Sequence, residues 1–393
     1  MSLNHSGENR LIREMALCNF LSYGPASAPI PLHALNLLIG PNGSGKSNLI
    51  EAIALLRAAP GEWGPVIRRG GGVGEWIWKG NPAGVAEIRL LFSNPKNPQP
   101  TRHVLAFRAE NQRFRLMDER IENEAPYPND PTPYYYYRFQ NGYPVITATN
   151  KDKNLSDIDP DLSILAQRRD PEIYPVLSYL AGAYERVRIY REWVFGRNAI
   201  FREPQKADGR NDRLEEDFSN LGLFLNRLRR NPRAKKAIIT ALADIYEGLN
   251  DFDVSIEGGT VQVFFTEGEF TIPATRLSDG TLRYLCLLAI LCDPEPPPLI
   301  CIEEPELGLH PDLLPKVADL LVNASARTQL IVTTHSDILV DAMTERPESV
   351  LVCEKHAGQT EMRRLDGEKL AAWLEQYRLG ELWTRGELGG TRW

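Results

Sequence analysis

The 393-residue sequence predicts an α/β fold, with a mixed sheet around a glycine-rich strand-to-helix turn and an inserted, largely helical lobe. Three observations predict it. An apolar run, Leu35-Asn36-Leu37-Leu38-Ile39, feeds a glycine-rich turn and then a longer helical run from Asn48 to Leu56. A second apolar run, Leu299 to Ile302, follows Pro296-Pro297-Pro298 and ends in Glu303 and Glu304. A third, Gln329 to Val332, ends in Thr333-Thr334-His335. Short buried strands ending in polar residues place those residues at the carboxyl edge of a parallel sheet, where ligands bind in open α/β folds.

The first turn reads Gly40-Pro41-Asn42-Gly43-Ser44-Gly45-Lys46-Ser47, followed by Asn48. This is the P-loop pattern in its required strand-turn-helix context. Its glycines let the backbone curl so that several N–H groups point inward at a β-phosphate. The helix beginning near Gly45 adds its positive end. Lys46 is placed to bridge β- and γ-phosphates, and Ser47 to bind Mg²⁺ through its hydroxyl. ATP and Mg²⁺ are therefore the expected cofactors. A second cluster, Gly70-Gly71-Gly72-Val73-Gly74, has no lysine and no preceding strand. It reads as a loop before Trp76 and Trp78, with a lid over the nucleotide as the alternative.

Glu303 is expected to hold Mg²⁺ through water, and Glu304 to polarise the water that attacks the γ-phosphate. Glu303 stands where the metal-side residue is usually Asp, one methylene shorter. Taken alone, the pair also fits an acidic turn after an edge strand. His335 ends a later strand, where a donor can reach the γ-phosphate; a purely structural histidine is the alternative. His310, in Gly308-Leu309-His310-Pro311, reads either as a subunit contact or as helix-start packing. The remaining four histidines show no metal-ligand spacing.

Leu277-Ser278-Asp279-Gly280 precedes an almost wholly apolar helix, Thr281 to Leu291. Ser278 and the free N–H groups of that helix form an anion site. By itself, Ser-Asp before a helix is an ordinary N-cap. Beside the other segments, these residues resemble the signature motif of ABC-class ATPases, in the RecF/SMC/OLD branch. Glu303-Glu304-Pro305-Glu306, Gly308-Leu309-His310-Pro311 and Thr333-Thr334-His335-Ser336 fit that branch. The resemblance covers residues 10–60 and 270–360. The closing Leu379-Gly380-Glu381-Leu382-Trp383, with Gly389-Gly390, is similar to the tails of small stand-alone AAA-type members.

The resemblance implies a P-loop NTPase with the ABC-ATPase head fold, two heads sandwiching two ATP molecules and parting after hydrolysis. It assigns catalysis to Lys46, Glu304 and His335, and gives Ser278, Asp279 and Gly280 to the opposite subunit's nucleotide. Asp279 stands where transporters carry Gly, and is expected to turn away from the phosphate to cap the helix. For the glutamine that links the two lobes to Mg²⁺, Gln112 and Gln140 are the candidates.

The chain divides on this reading into an ATPase half at 1–118, an inserted lobe at 119–251 and a second ATPase half at 252–393. Residues 119–160, rich in Pro, Asn, Asp and Tyr, read as a long excursion in which Tyr134 to Tyr137 serve packing or a partner. Helical patterns dominate from Pro171 to Leu249. No heptad pattern persists, which points to a compact head without the coiled-coil arm of SMC-type relatives. The 42% hydrophobic and 25% charged residues are globular values. Five cysteines lie mostly in apolar runs, as buried thiols in a reducing cytosol do. No apolar run approaches a membrane span, so a cytoplasmic protein with no membrane partner is expected.

A net charge of −7 argues against wholesale attraction to nucleic acid, although basic residues cluster. Arg186, Arg188, Arg191, Arg197, Arg202, Lys206, Arg210 and Arg213 form one group, and Arg227, Arg229, Arg230, Arg233, Lys235 and Lys236 another. They can line DNA phosphates, or, interleaved with Glu185, Glu192, Glu203, Glu215 and Glu216, form a solvated face. OLD nucleases append a Toprim domain with a Glu and a later Asp-x-Asp. Here a strand ends in Glu354, but the residues after it hold one aspartate, Asp366. No nuclease is expected within the chain, and a separately encoded nuclease or other effector becomes the implied partner, as in repair or anti-phage systems. An ATP-binding scaffold with little turnover is the alternative.

Overall fold

The computed structural model describes residues 10–390 except 96, 141–142, 149–150, 155–156, 197–198 and 200–201. The chain opens with β1 (Ile12–Cys18), β2 (Ile30–Pro31) and β3 (Leu35–Ile39), then the P-loop and α1 (Lys46–Ala58). After α2 (Gly64–Arg69) come β4 (Ala86–Phe92), β5 (Thr101–Glu110), β6 (Arg113–Asn123), β7 (Tyr135–Gln140), β8 (Tyr143–Ala148) and β9 (Lys151–Asn154). Helices α3 (Ile164–Gln167) and α4 (Pro175–Arg186) lead to β10 (Arg188–Tyr190) and β11 (Gln205–Lys206). Next are α5 (Leu221–Leu228), α6 (Pro232–Ala243), β12 (Leu249–Glu257), β13 (Thr260–Glu267) and β14 (Phe270–Pro273). The final stretch holds α7 (Asp279–Leu291), β15 (Leu299–Glu303), α8 (Leu314–Ser325), β16 (Gln329–Thr333) and α9 (Asp337–Asp341). It closes with β17 (Val350–His356), β18 (Gln359–Arg364), α10 (Gly367–Leu374) and α11 (Leu379–Thr384).

The central sheet has the order β10-β15-β16-β3-β17-β18, parallel throughout except for β18. Its strands read as continuous apolar runs because both faces are covered. Leu37, Ile39, Ile300, Ile302, Leu330 and Val332 point into one core with α7 and α8. Their neighbours Leu38, Leu299, Cys301 and Ile331 point into a second core with α1 and α4. Because β16 lies between β3 and β15, the P-loop, Glu303 and Thr333 all emerge at one sheet edge.

An eight-stranded antiparallel sheet, β2-β1-β4-β5-β6-β7-β8-β9, covers the second core, where Phe20, Ile88 and Phe107 meet Leu49 and Ile53 of α1. A smaller sheet of β11, β12, β13 and β14 shares the first core with α5, α6 and α7. The longest helices among the described residues, α1 and α7, have 13 residues each, too short for a coiled-coil arm. No described helix is long and apolar enough to cross a membrane.

Residues 119–251 differ from the helical lobe expected. Their first part continues the antiparallel sheet through the end of β6, β7, β8 and β9, and helices begin only at α3. Tyr137, Phe139 and Ile146 alternate into the core, a period of two that the polar, Pro-rich flanks concealed. The lobe also returns one strand, β10, to the edge of the central sheet. The glycines at 70–74 form the turn between α2 and Trp76. A Cβ on Gly70 would lie 2.6 Å from the Trp76 indole nitrogen.

Candidate nucleotide site

The P-loop is held open by backbone that side chains resist. Gly40, Gly43 and Gly45 have φ of +145°, +78° and +104°. A Cβ at Gly43 would meet nothing within 4 Å, which leaves the mouth of the loop clear. The back of the loop is packed: Thr360 of β18 donates its hydroxyl to the Ser44 carbonyl at 2.8 Å, and Tyr23 donates to the Gly45 carbonyl at 3.3 Å. Lys46 is buried and folds back, its Nζ 2.7 Å from the Gly40 carbonyl and 3.1 Å from that of Pro41. Burial pulls its pKa down, against the pull of nearby Glu304, Glu306 and Glu303. Asn42 is exposed at the loop tip beside Pro41, whereas Asn48 is tied back, donating to Ser22 Oγ at 2.6 Å.

Ser47 Oγ donates to Glu303 Oε2 at 3.3 Å, so the two expected metal ligands meet. Glu303 Oε1 is buried with no hydrogen-bond partner, and Ser44 Oγ is likewise unpartnered. A hydroxyl and a carboxylate with spare acceptor capacity beside a phosphate cradle suit Mg²⁺, which is usually held by few side chains plus substrate phosphates. Burial pushes the Glu303 carboxyl above its ordinary value, opposed chiefly by Arg191, whose Nε lies 3.7 Å from Oε1.

Glu304 has a φ of +48°, a left-handed conformation uncommon for a side-chain-bearing residue and typical of functional strain. Its N–H bonds to the Thr333 carbonyl at 3.0 Å, and its carboxylate lies 3.8 Å from His335 Nε2. Glu306 completes this corner: Oε1 accepts from Thr334 Oγ1 and from the His335 N–H, both at 2.7 Å. Sequence reading gave Glu306 no role of its own, although its spacing after the acid pair was visible.

Ser278 caps α7, its Oγ accepting from the Thr281 N–H at 3.1 Å. Asp279 does not cap the helix, contrary to expectation. Arg202 bonds its carboxylate at 2.5 Å and the Gly196 N–H reaches it at 3.2 Å, while Arg202 also donates to the Leu277 carbonyl. The hydrogen bond from Arg202 lowers the Asp279 pKa. The cap position was already filled by Ser278, so the aspartate turns sideways to the cation. Gly280 packs close to the Gly308 carbonyl, 3.3 Å from where a Cβ would stand. His310 is exposed and accepts from the Asp312 N–H at the start of the turn before α8.

A family model described as "AAA domain, putative AbiEii toxin, Type IV TA system" matches residues 35–341, from β3 through α9. The chain belongs to this family. Among solved structures, this AAA domain is similar to an Smc head bound to the C-winged helix domain of ScpA, with a TM-score of 0.55 and 16% identity over 91% of this chain and 99% of that one. A head from Pyrococcus furiosus with an extended coiled coil, bound to the C-terminal domain of ScpA, gives 0.53 and 16% over 93% and 99%. At those identities the likeness is one of fold. The chromosome partition protein Smc of Mycobacterium tuberculosis is 32% identical over 100 residues, 24% of this chain and 8% of that protein. Structural maintenance of chromosomes protein 5 of Arabidopsis thaliana is 38% identical over 79 residues, 20% of this chain and 7% of that protein. The match thus spans less than a tenth of either relative's length. The domain thus has the fold of an Smc head within the AAA family that its sequence matches.

The AAA domain contains a connection that sequence reading missed. Arg191, directly after β10, bonds to Glu51 of α1 and approaches Glu303. Trp193 donates its indole N–H to the Glu303 carbonyl at 2.7 Å. The Arg283 guanidinium of α7 lies over the Trp193 and Phe195 rings at 5.1 and 4.6 Å. Arg191 and Trp193 thus reach Glu303, while Arg202 reaches Asp279 beside Ser278. Gln112 occupies the β5–β6 turn and Gln140 ends β7, its side chain outside the described residues. The side chain that approaches Glu303 from the lobe is Arg191.

Part of each basic cluster is engaged in local ion pairs. Arg210 binds Asp212, Arg227 binds Asp293, Arg229 binds Asp253 and Lys235 binds Asp251. Arg197 lies outside the described residues.

Burial raises the carboxyl pKa of both Glu303 and Glu306 above the ordinary 4.5. Folded values above unfolded ones contribute stability at low pH that is lost as pH rises through the raised values. Mg²⁺ binding requires the ionised form and runs the other way. The thermal stabilisation given by Mg²⁺ with ATP is therefore expected to grow with pH above 4.5. In Glu303→Gln it should be smaller and flatter, as melting curves across a pH series will register.

Proposed function

We propose that this chain binds and hydrolyses ATP, pairs with a second copy around the nucleotide, and thereby switches an effector, in the manner of repair or anti-phage ATPases. The observation that carries this reading is the convergence at one sheet edge: Ser47 within 3.3 Å of Glu303, and Glu304 within 3.8 Å of His335, beside the P-loop. Lys46 leaves its own loop carbonyls for the β- and γ-phosphates. Ser47 and Glu303 would hold Mg²⁺, which would supply charge neutralisation for the phosphates. Glu304 orients water and takes its proton, and His335 donates to a γ-phosphate oxygen.

Ser278 is exposed at the start of a 13-residue helix, where its hydroxyl and the first N–H groups of the helix offer donors to a partner's phosphate. A γ-phosphate held by Lys46 of one copy and the Ser278 helix terminus of another would join them. A protein effector, such as a separately encoded nuclease, is the favoured partner over DNA, since Arg210, Arg227, Arg229 and Lys235 already neutralise acids of the chain itself.

Complementation tests this reading. Lys46→Ala and Ser278→Arg proteins should each fail to dimerise with ATP and fail to hydrolyse it. Mixed together they form one intact composite site, so measurable hydrolysis should return, rising with protein concentration. A mixture as inactive as its components, or a wild-type rate per molecule independent of concentration, rejects the shared site. Tight ATP-dependent dimers without turnover would instead identify a scaffold.

A further inference from the structure

Arg188, the first residue of β10, is a buried cation without a counterion. It is 6% exposed and makes no ion pair among the described residues. Its Nη1 donates to the Glu185 and Val187 carbonyls at the end of α4, but Nε has no acceptor. The Nε of Arg213 is also buried without an acceptor, its nearest carboxylate, Glu215, being 3.8 Å away. Burial, and then the charge of Arg213, lower the Arg188 pKa. A buried guanidinium such as that of Arg188, with a second cation beside it and no counterion of its own, is a place where an anion would be stabilising.

Both arginines line a cavity of about 310 Å³, near the lower end of the range for ligand pockets. Arg186 stands with them, while Tyr190, Phe224 and Ile290 contribute to an aromatic and aliphatic wall. The carboxylates of the cavity are engaged elsewhere: Asp212 by Arg210 at 2.8 Å, Asp293 by Arg227 at 2.7 Å, and Glu295 by Arg227 at 3.7 Å. The uncompensated charge at this wall is therefore positive. The cavity opens at the start of β10 and β15, the opposite end of those strands from Glu303. Arg188 and Arg213 also border a neighbouring cavity of about 590 Å³ that runs along α1.

We propose that the cavity between β10, α5 and α7 is a second ligand site, which takes a mononucleotide with its phosphate on Arg188 and Arg213 and its base against Tyr190 and Phe224. This site is independent of the P-loop, and its test removes the P-loop from the measurement. Calorimetric titrations of AMP, GMP, CMP and UMP into the full-length Lys46→Ala protein should show one of them binding once per chain. Adding Arg213→Gln should weaken it by at least about tenfold, the loss of one charge-assisted hydrogen bond. Arg213 is the choice because Arg188 also holds the end of α4; an unchanged melting temperature checks the fold. Inorganic phosphate should bind at least about tenfold more weakly than the nucleotide. The proposal is overturned if none of the four binds, if Arg213→Gln leaves binding unchanged, or if phosphate alone binds as tightly.

Discussion

Glu304→Gln is expected to slow ATP hydrolysis by about 10²- to 10⁴-fold while leaving ATP binding intact, the usual range for removing a general base. Glutamine keeps the shape and the N–H bond to Thr333 but cannot take a proton. The left-handed backbone at Glu304 is fixed by that bond and by the turn into Pro305 and Glu306, so the amide should occupy the carboxylate's place. Since Ser47, Glu303 and Lys46 are untouched, nucleotide should still load, and ATP-bound dimers should accumulate. Single-turnover phosphate release with light scattering reads both effects. A variant that hydrolyses at the wild-type rate would assign the proton transfer to another group.

Gly40→Ala should be among the most damaging small substitutions in the P-loop. At φ +145° a Cβ would stand 2.2 Å from the Cys353 carbonyl oxygen and 3.0 Å from Ser44 Oγ. The carbonyl cannot retreat, because β17 is paired in parallel with β3, Val352 opposite Ile39. Either the loop or the strand pair must yield, at a cost of about 3 kcal/mol or more. Gly43→Ala is the contrast: its φ is +78°, but its Cβ would meet nothing within 4 Å. That change carries only conformational strain, about 1–2 kcal/mol. Melting temperatures and ATP affinities of the two variants should separate clearly. Equal losses would mean that contact with β17 does not shape the loop.

The parts of the site legible in the sequence share one grammar, an apolar strand followed at once by the residues it delivers. Lys46 and Ser47 after β3, Glu303 and Glu304 at the end of β15, and His335 just beyond β16 were all found that way. What escaped notice arrives from a distance. Trp193 bonds a carbonyl 110 residues away, and Arg202 a carboxylate 77 residues away. Nothing local distinguishes Arg191 or Arg202 from the solvated arginines around them. The strands of residues 135–154 were hidden differently, because tyrosines, charges and prolines mask a period of two when one face is wet. Asp279 was misjudged because adjacent Ser and Asp compete for one cap, and local rules do not decide which wins.

Trp193 holds Glu303 beside the proposed nucleotide pocket, and Arg202, further along the chain, holds Asp279 in the loop proposed to face a neighbour. Under the proposed pairing, loading one pocket and docking the second molecule are linked free energies, and such linkage acts equally in both directions. Under that pairing each protomer reports its occupancy to its partner, and cooperativity between two distant triphosphates needs no further messenger.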